Sequence, residues 1–516
     1  MPALGEDAAR RLLNRAAYGA RPGDVAAVAR LDRGSWIDAQ LALPADHAEV
    51  TAALAAATMP IRYVAGPGEQ MVDEHRPLFA LAMTPEQRWA MADNRLPIAW
   101  PERDRPRLEL SAATLLRKVL APDQLRERLV EFWHDHFNVA AQAGPQVSVS
   151  LPGHDARIRD HALGNFAALL EAVATSPAML AYLNNNASRA GAPNENFARE
   201  LLELHTLGAA AYHPGARSWR DIPGADQGTP AGYFDGDVWE AARAFTGWTI
   251  AAGQRIDGGR TLPRAGEFAY VERWHDGYQK RVLGEEFAPF APALADGRRV
   301  IALAATHPAT ARHLCGKLAR FFMGDTAPPA VAARAEAAFL RHRDAPDQIA
   351  RTIRALLDGP EATDPALGRV RRPLDIAAAA ARALAIPLSP QAPLLAQMGN
   401  AGQTLFGWPS PDGQTLDGAH YLGGGALRAR WTMLLGLAQN WWGTGASPLY
   451  PALAGRPTAE AAREVAHALV GDAAPAVAQR LASAWSVDRR PDRLRNPQDA
   501  AALAGIALLA PGFQTT

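Results

Sequence analysis

Pro193-Asn194-Glu195-Asn196-Phe197-Ala198-Arg199-Glu200-Leu201-Leu202-Glu203-Leu204-His205-Thr206-Leu207-Gly208 is the stretch on which the reading of this chain turns. A prolyl-asparagine turn opens it and a glycine closes it, the start and stop signals of a short helix. At 100° per residue, Asn196, Arg199, Glu200 and Glu203 fall on one stripe, and Phe197, Leu201, Leu204 and His205 on another. The apolar flanks leave little room for solvent around two carboxylates and a guanidinium. Such groups are tolerated only when paired or ligating.

Helical periodicity continues on both sides. Leu115, Leu116, Val119, Leu120, Leu125, Leu129 and Phe132 recur at helical spacing between Leu108 and Phe137, and the spacing predicts further helices over 8–43, 160–183, 300–305, 310–322, 327–358 and 374–385. Residues 44–106 read as alanine-rich helix with a loop around Gly66–Gly68. From 209 to 290 the texture changes to glycine, proline and aromatic residues, with a hairpin pairing Trp248–Ile250 with Phe268–Val271. The expected fold is mainly α: one large helical domain over 1–516, an orthogonal or toroid-like multi-helix body, with a loop-rich insertion at 209–290 containing a small β-hairpin and a C-terminal helical subregion at 370–516.

Composition narrows the function classes. The 53 Lys+Arg balance 53 Asp+Glu, so no global charge favours nucleic acid or an anionic membrane. No run approaches the length of a membrane helix, and no apolar export signal opens the chain. A single cysteine, Cys315, excludes an intramolecular disulfide and reads as a buried helical thiol. There is no phosphate loop, dinucleotide fingerprint, Gly-x-Ser-x-Gly elbow or His-Glu-x-x-His, so no nucleotide cofactor is expected.

Two other features carry chemistry. Phe132-Trp133-His134-Asp135-His136-Phe137 sets two imidazoles two residues apart. If the helix runs through, His136 joins the Leu129/Phe132/Trp133 stripe and His134 faces Glu127 and Glu131. If the chain extends at His134, both share a face and can bind one ion. Trp274-His275-Asp276 lies in the irregular segment, where long loops are commonly functional.

In order along the chain, Leu12 to Gly19, Phe132 to Phe137, Asn194 to Gly208, Phe245-Thr246-Gly247-Trp248, His275-Asp276 and His307-Pro308-Ala309-Thr310-Ala311 resemble the bacterial family known as domain of unknown function 1800. The resemblance runs over nearly the whole chain and is looser after Gly407-Trp408-Pro409. It implies a sulfatase-like, twin-arginine-exported protein as a partner, because members are often genomically paired with one. Many members carry an export signal. Its absence here leaves a cytoplasmic location, or export together with a folded partner, as the expectation.

Three functions are weighed. The first is a metal-dependent hydrolase in which His134, His136 and Glu203, with His205 as a weaker ligand, hold zinc, manganese or iron and activate a water. The second is a metal-free enzyme that uses Glu200 and Glu203 as an acid–base pair on a glycosidic or related bond. Carboxylates one turn apart have Cβ atoms roughly 5–6 Å apart, near the carboxyl separation of retaining glycosidases. In either enzyme Glu200, Glu203 and Arg199 are the expected catalytic residues. Asn194, Asn196, Trp248, Trp274 and His275 are the expected contacts to a small-molecule or glycan substrate, with Tyr270 joining Trp248 and Trp274 in a sugar platform. The third is a non-enzymatic partner of the sulfatase-like protein.

Overall fold

The computed structural model describes residues 2–64, 70–256, 259–487 and 492–516. The Gly66–Gly68 loop lies outside them. Helices make up most of the described chain, and its strands form three two-stranded antiparallel sheets. The helices that matter below are α1 (Glu6–Ala16), α2 (Arg105–Leu120), α3 (Gln124–His136), α4 (Pro145–His161), α5 (Pro177–Tyr182), α6 (Glu195–Glu203), α7 (Asp235–Ala244), α8 (Ala295–Thr306), α9 (Pro308–Met323) and α10 (Pro373–Ala383). Among the described residues no helix is long and apolar enough to cross a membrane.

The sheets correct one expectation and refine another. Strands β1 (Thr58–Val64) and β2 (Met71–Pro77) pair in register from Thr58↔Pro77 to Val64↔Met71, where residues 44–106 were expected to be helix and loop. Met59 and Ile61 alternate inward along β1, the period-2 signature of a half-buried strand, which the alanines of 48–57 obscure. Strands β3 (Trp248–Ile250) and β4 (Phe268–Tyr270) form the expected hairpin, with Thr249 opposite Ala269. A third hairpin, β5 (Lys280–Val282) with β6 (Glu285–Phe287), follows it.

The long periodic run from Leu108 to Phe137 is two helices. Ala121-Pro122-Asp123 separates α2 from α3, since proline removes a backbone donor and disfavours helix in the residue before it. Helix α3 runs on through His136 and is buried on nearly every side. Its apolar face, with Leu129, Phe132 and Trp133, enters the largest of three core clusters, which gathers buried side chains from Ala9 to Ala362. Residues 374–513 supply most of the second cluster, together with Tyr18, Leu115 and Val119.

The polar face of α3 meets α10, and the seam between the clusters is ionic. Arg128 reaches Asp375 and lies 3.1 Å from Glu131, while Arg372 reaches both Glu131 and Asp135, and Arg369 reaches Asp375. Arg128 also sits over the rings of Tyr18 and Phe321, at 4.8 and 4.5 Å from their centroids, where the ring quadrupoles favour a cation. Three guanidiniums beside Asp375 overcome the effect of burial and hold its carboxyl well below the usual range. On the neighbouring flank, Lys118 binds Glu127 at 2.8 Å and Arg159 joins Glu127 to Asp155. This pairing is what makes so many buried charges tolerable.

Candidate functional site

Helix α6 begins as its sequence dictates. The Asn194 side chain accepts from the backbone N–H groups of Asn196 (2.9 Å) and Phe197 (3.4 Å), the usual role of asparagine at this position. It also donates to the Leu183 carbonyl at 2.7 Å. Asn194 is therefore an anchor of the helix start, and Asn196 is exposed. Phe197, Leu201 and Leu202 are buried, leaving Arg199, Glu200 and Glu203 on the half-buried face.

At the other end, the carbonyls of Leu204 and His205 have passed beyond the helix and need outside donors. His313 Nε2 on α9 donates to Leu204 at 3.1 Å, and His136 Nε2 on α3 donates to His205 at 3.1 Å. Gly208 closes the turn at φ +88°, its N–H bonding to Leu202, and a Cβ there would stand 2.7 Å from His313 Nδ1. Glycine is required twice over, for the left-handed backbone and for the imidazole lying against it.

These bonds fix the chemistry of the histidines. With its proton on Nε2, His136 has only Nδ1 as an acceptor, and Lys317 Nζ donates to it at 3.1 Å. Burial pushes His136 well below the ordinary imidazole range and His205 down to about 3, with Lys317 reinforcing both. Burial, again reinforced by Lys317, lowers His313 to about 4. All three are neutral near pH 7. Lys317 itself, on α9, is lowered to about 8 by burial, against the attraction of Asp135 and Asp412.

Glu200 completes the group. Burial and the adjacent Glu203 carboxylate raise it, Arg199 lowers it, and Asp412 contributes a further upward push. Asp412 thus lies within electrostatic reach of both Glu200 and Lys317. It belongs to the Gly407–Gly413 loop, which closes over α3 so tightly that a Cβ on Gly413 would run into the Asp135 carbonyl. Trp408 Nε1 donates to Asp412 at 3.0 Å, and the Tyr182 hydroxyl, at the end of α5, donates to Pro409 at 2.7 Å. Glu200, Glu203, Tyr182, His313 and Lys317 are half-buried and Asp412 is exposed, so the cluster is open to solvent. Among the described residues, neither glutamate nor Lys317 forms an ion pair, whereas the charges of the α3–α10 seam are paired.

Other expected site residues lie elsewhere. Because α3 stays helical, His134 points away from His136 and pairs with Asp155 on α4 at 2.9 Å. The expected ligand set of His134, His136, Glu203 and His205 is not gathered at one point, and among the described residues no three His, Cys, Asp or Glu side chains converge to hold one metal ion. Arg199 bonds Asp235 at 3.1 Å, which also accepts from the Tyr212 hydroxyl. Trp248 and Trp274 are 1% and 4% exposed. That corrects the sugar-platform expectation, since Trp248 packs edge-on to Phe245 and Arg189 covers the face of Trp274 at 3.8 Å.

His275 is likewise a fastener. Its Nδ1 approaches the Thr246 carbonyl at 3.0 Å and its Nε2 approaches Asp296 on α8 at 3.3 Å, while buried Lys280 donates to the same aspartate at 2.7 Å. Arg243 on α7 grips Asp276. The Thr246-Gly247-Trp248 and His275-Asp276 motifs therefore pin the irregular insertion to the helices beneath it.

The profile of the protein family of unknown function DUF1800 matches residues 11–515. The chain belongs to this family. The match takes in the three core clusters apart from Ala9, the ionic seam and every member of the α3–α6–α9 cluster, so the resemblance seen in short motifs extends over nearly the whole fold described above. No curated protein and no solved structure matches the chain.

Proposed function

We propose that this DUF1800 protein is a metal-free acid–base hydrolase whose reaction takes place at Glu200 and Glu203, with a glycosidic bond as the substrate class. The observation that carries the reading is a pair of half-buried carboxyl groups one turn apart on α6, neither in an ion pair among the described residues, with Glu200 raised by burial and by Glu203. Groups whose environments move their pKa values towards working pH are suited to acid–base work. In this reading Glu200 is the general acid and Glu203 its partner carboxyl group. Their one-turn spacing on α6 suits a retaining mechanism. Trp408 and Tyr182 at the rim replace the buried tryptophans as candidate sugar contacts.

The metal-dependent reading finds less support in the donor chemistry. His136 has committed both ring nitrogens, one as donor to His205 and one as acceptor from Lys317, and His134 is engaged on the opposite side with Asp155.

The test is a screen of chromogenic aryl glycosides and oligosaccharides with the wild-type protein, Glu200→Gln and Glu203→Gln, alongside thermal melts. The expected result is hydrolysis that falls by about 100-fold or more in either variant at an unchanged melting temperature. Turnover retained in both folded variants, or turnover abolished by a chelator and restored by a divalent ion, overturns the proposal.

A further inference from the structure

A cavity of about 300 Å³ lies at the far end of α3, between the segment around His47, the C-terminal half of α2 and the middle of α4. It lies at the opposite end of α3 from His136, and its lining shares no residue with the cluster proposed above. Two groups of opposite charge line it, a half-buried arginine and a buried aspartate, and each holds polar atoms shielded from solvent that make no aligned hydrogen bond.

The first is Arg117. Its Nη1 is shielded from solvent and makes no hydrogen bond, and its nearest carboxylate oxygen, Asp155 Oδ2, is 3.9 Å away. Asp155 is already taken by Arg159 at 2.9 Å and His134 at 2.9 Å, and the second nearby carboxylate, Glu127, by Lys118 and Arg159. Arg117 is thus left with a distant share of a carboxylate that two closer partners hold, and burial together with Arg159 lowers its pKa. The second is Asp123, 1% exposed. His47 Nε2 and Arg126 Nε approach it at 3.0 and 3.3 Å, yet neither of its oxygens receives an aligned hydrogen bond. Burial and the neighbouring Glu127 raise its pKa.

A shielded guanidinium nitrogen without an aligned acceptor and a buried carboxylate whose cationic neighbours are poorly aligned each carry a desolvation cost. They do not pair with one another, although they line the same space. Between them the wall is aliphatic, with Val50, Leu81 and Leu110, and the acidic side chains of Asp46 and Asp160 stand exposed at the mouth. The volume is at the lower end of the small-molecule range. One kind of ligand satisfies both groups at once, a small zwitterion whose carboxylate meets Arg117 and whose ammonium meets Asp123 or the acidic mouth.

We propose that this cavity is a binding site for a free α-amino acid with an apolar side chain. A fork of N–H donors matches a carboxylate, the acidic groups match an ammonium, and the aliphatic wall takes the side chain. A phosphate monoanion meets Arg117 but leaves Asp123 unsatisfied, and a simple amine does the reverse.

The test is a thermal-shift screen of the full chain against each standard L-amino acid, followed by titration calorimetry of the best hit beside the carboxylic acid and the amine that correspond to its two halves. For leucine these are 4-methylpentanoate and 3-methylbutylamine. The expected result is a hit among the apolar amino acids, with each half-molecule binding at least about tenfold more weakly, and with affinity falling similarly in Arg117→Met and Asp123→Asn. Arg117→Lys and Asp160→Asn serve as milder variants should either of those fail to fold. No hit in the wild type, a half-molecule binding as tightly as the amino acid, or undiminished affinity in all folded variants overturns the proposal.

Discussion

Replacing Asp375 by asparagine removes one negative charge from a place where three guanidiniums converge. Arg128, Arg369 and Arg372 are 0%, 10% and 2% exposed at their side chains, and Asp375 is 4% exposed. In the native seam the three cations face Asp375, Glu131 and Asp135. The substitution leaves three cations against two carboxylates with almost no solvent to compensate. Breaking a buried pair by removing one partner costs about 3–5 kcal/mol, far more than an intact pair contributes. Asp375 is at the heart of the seam, so the upper half of that range is expected. The carboxyl is held below its ordinary value in the fold, so its contribution is complete above the unfolded pKa of about 3.9 and is lost only as the pH falls below that. The penalty of the variant is therefore constant from pH 5 upward. Urea unfolding followed by circular dichroism at pH 7 measures it as a shift in midpoint at constant slope. Asp347→Asn, which breaks an exposed pair with Arg351, is the control and should leave the midpoint where it was. The double variant Arg128→Met/Asp375→Asn restores the balance of charge and should recover at least half of the loss. A cost below about 1 kcal/mol for Asp375→Asn, or a double variant no better than the single one, refutes the reasoning.

Two further outcomes follow from the cluster at the end of α6. Lys317→Met should stabilise the protein at pH 7 on the order of 2 kcal/mol, because the native pKa of about 8 lies below the unfolded value. The charged form is penalised in the fold, the penalty is present in full below pH 8, and it is relieved as the pH rises towards about 10.4; an advantage that persists unchanged at pH 10 counts against this account. Gly208→Ala should destabilise by about 1–3 kcal/mol, since a methyl group there meets both an unfavourable φ of +88° and the ring of His313; a melting temperature equal to wild type counts against the packing described.

Periodicity carried the fold class well. The apolar stripes of α3, α6 and α9, the asparagine start and glycine stop of α6, and the β3–β4 hairpin all express local rules that act within a turn or two of chain. The β1–β2 hairpin was hidden by the alanines before it. The site was legible only in part. Glu200 and Glu203 announced themselves as charges on a helix with apolar flanks. Lys317 and His313 read as the ordinary polar face of an amphipathic helix, and Asp412 as a loop residue. What gathers them is the approach of three segments far apart in sequence, and no spacing within any one of them encodes that approach. The two histidines of α3 illustrate the converse: one undetermined backbone conformation, helical or extended at His134, decided whether they share a face, and the helical outcome separates them. Trp248, Trp274 and His275 looked functional because aromatic and imidazole side chains in a glycine-rich segment invite that reading. Their burial answers a different need, that of holding an irregular segment in place without long strands or helices of its own.

The bond between Arg128 and Asp375 spans 247 residues of chain. During vectorial synthesis at about 5–20 residues per second, roughly 12–50 s pass between the emergence of the arginine and that of its aspartate. Throughout that interval the polar face of α3 has no counter-charge from α10, and the apolar face cannot be sequestered without dragging Arg128 and Glu131 out of water. On the growing chain Arg128 has Glu131, one turn along α3, as its only seam counter-charge, and the seam is neutral only once Asp375 has been made.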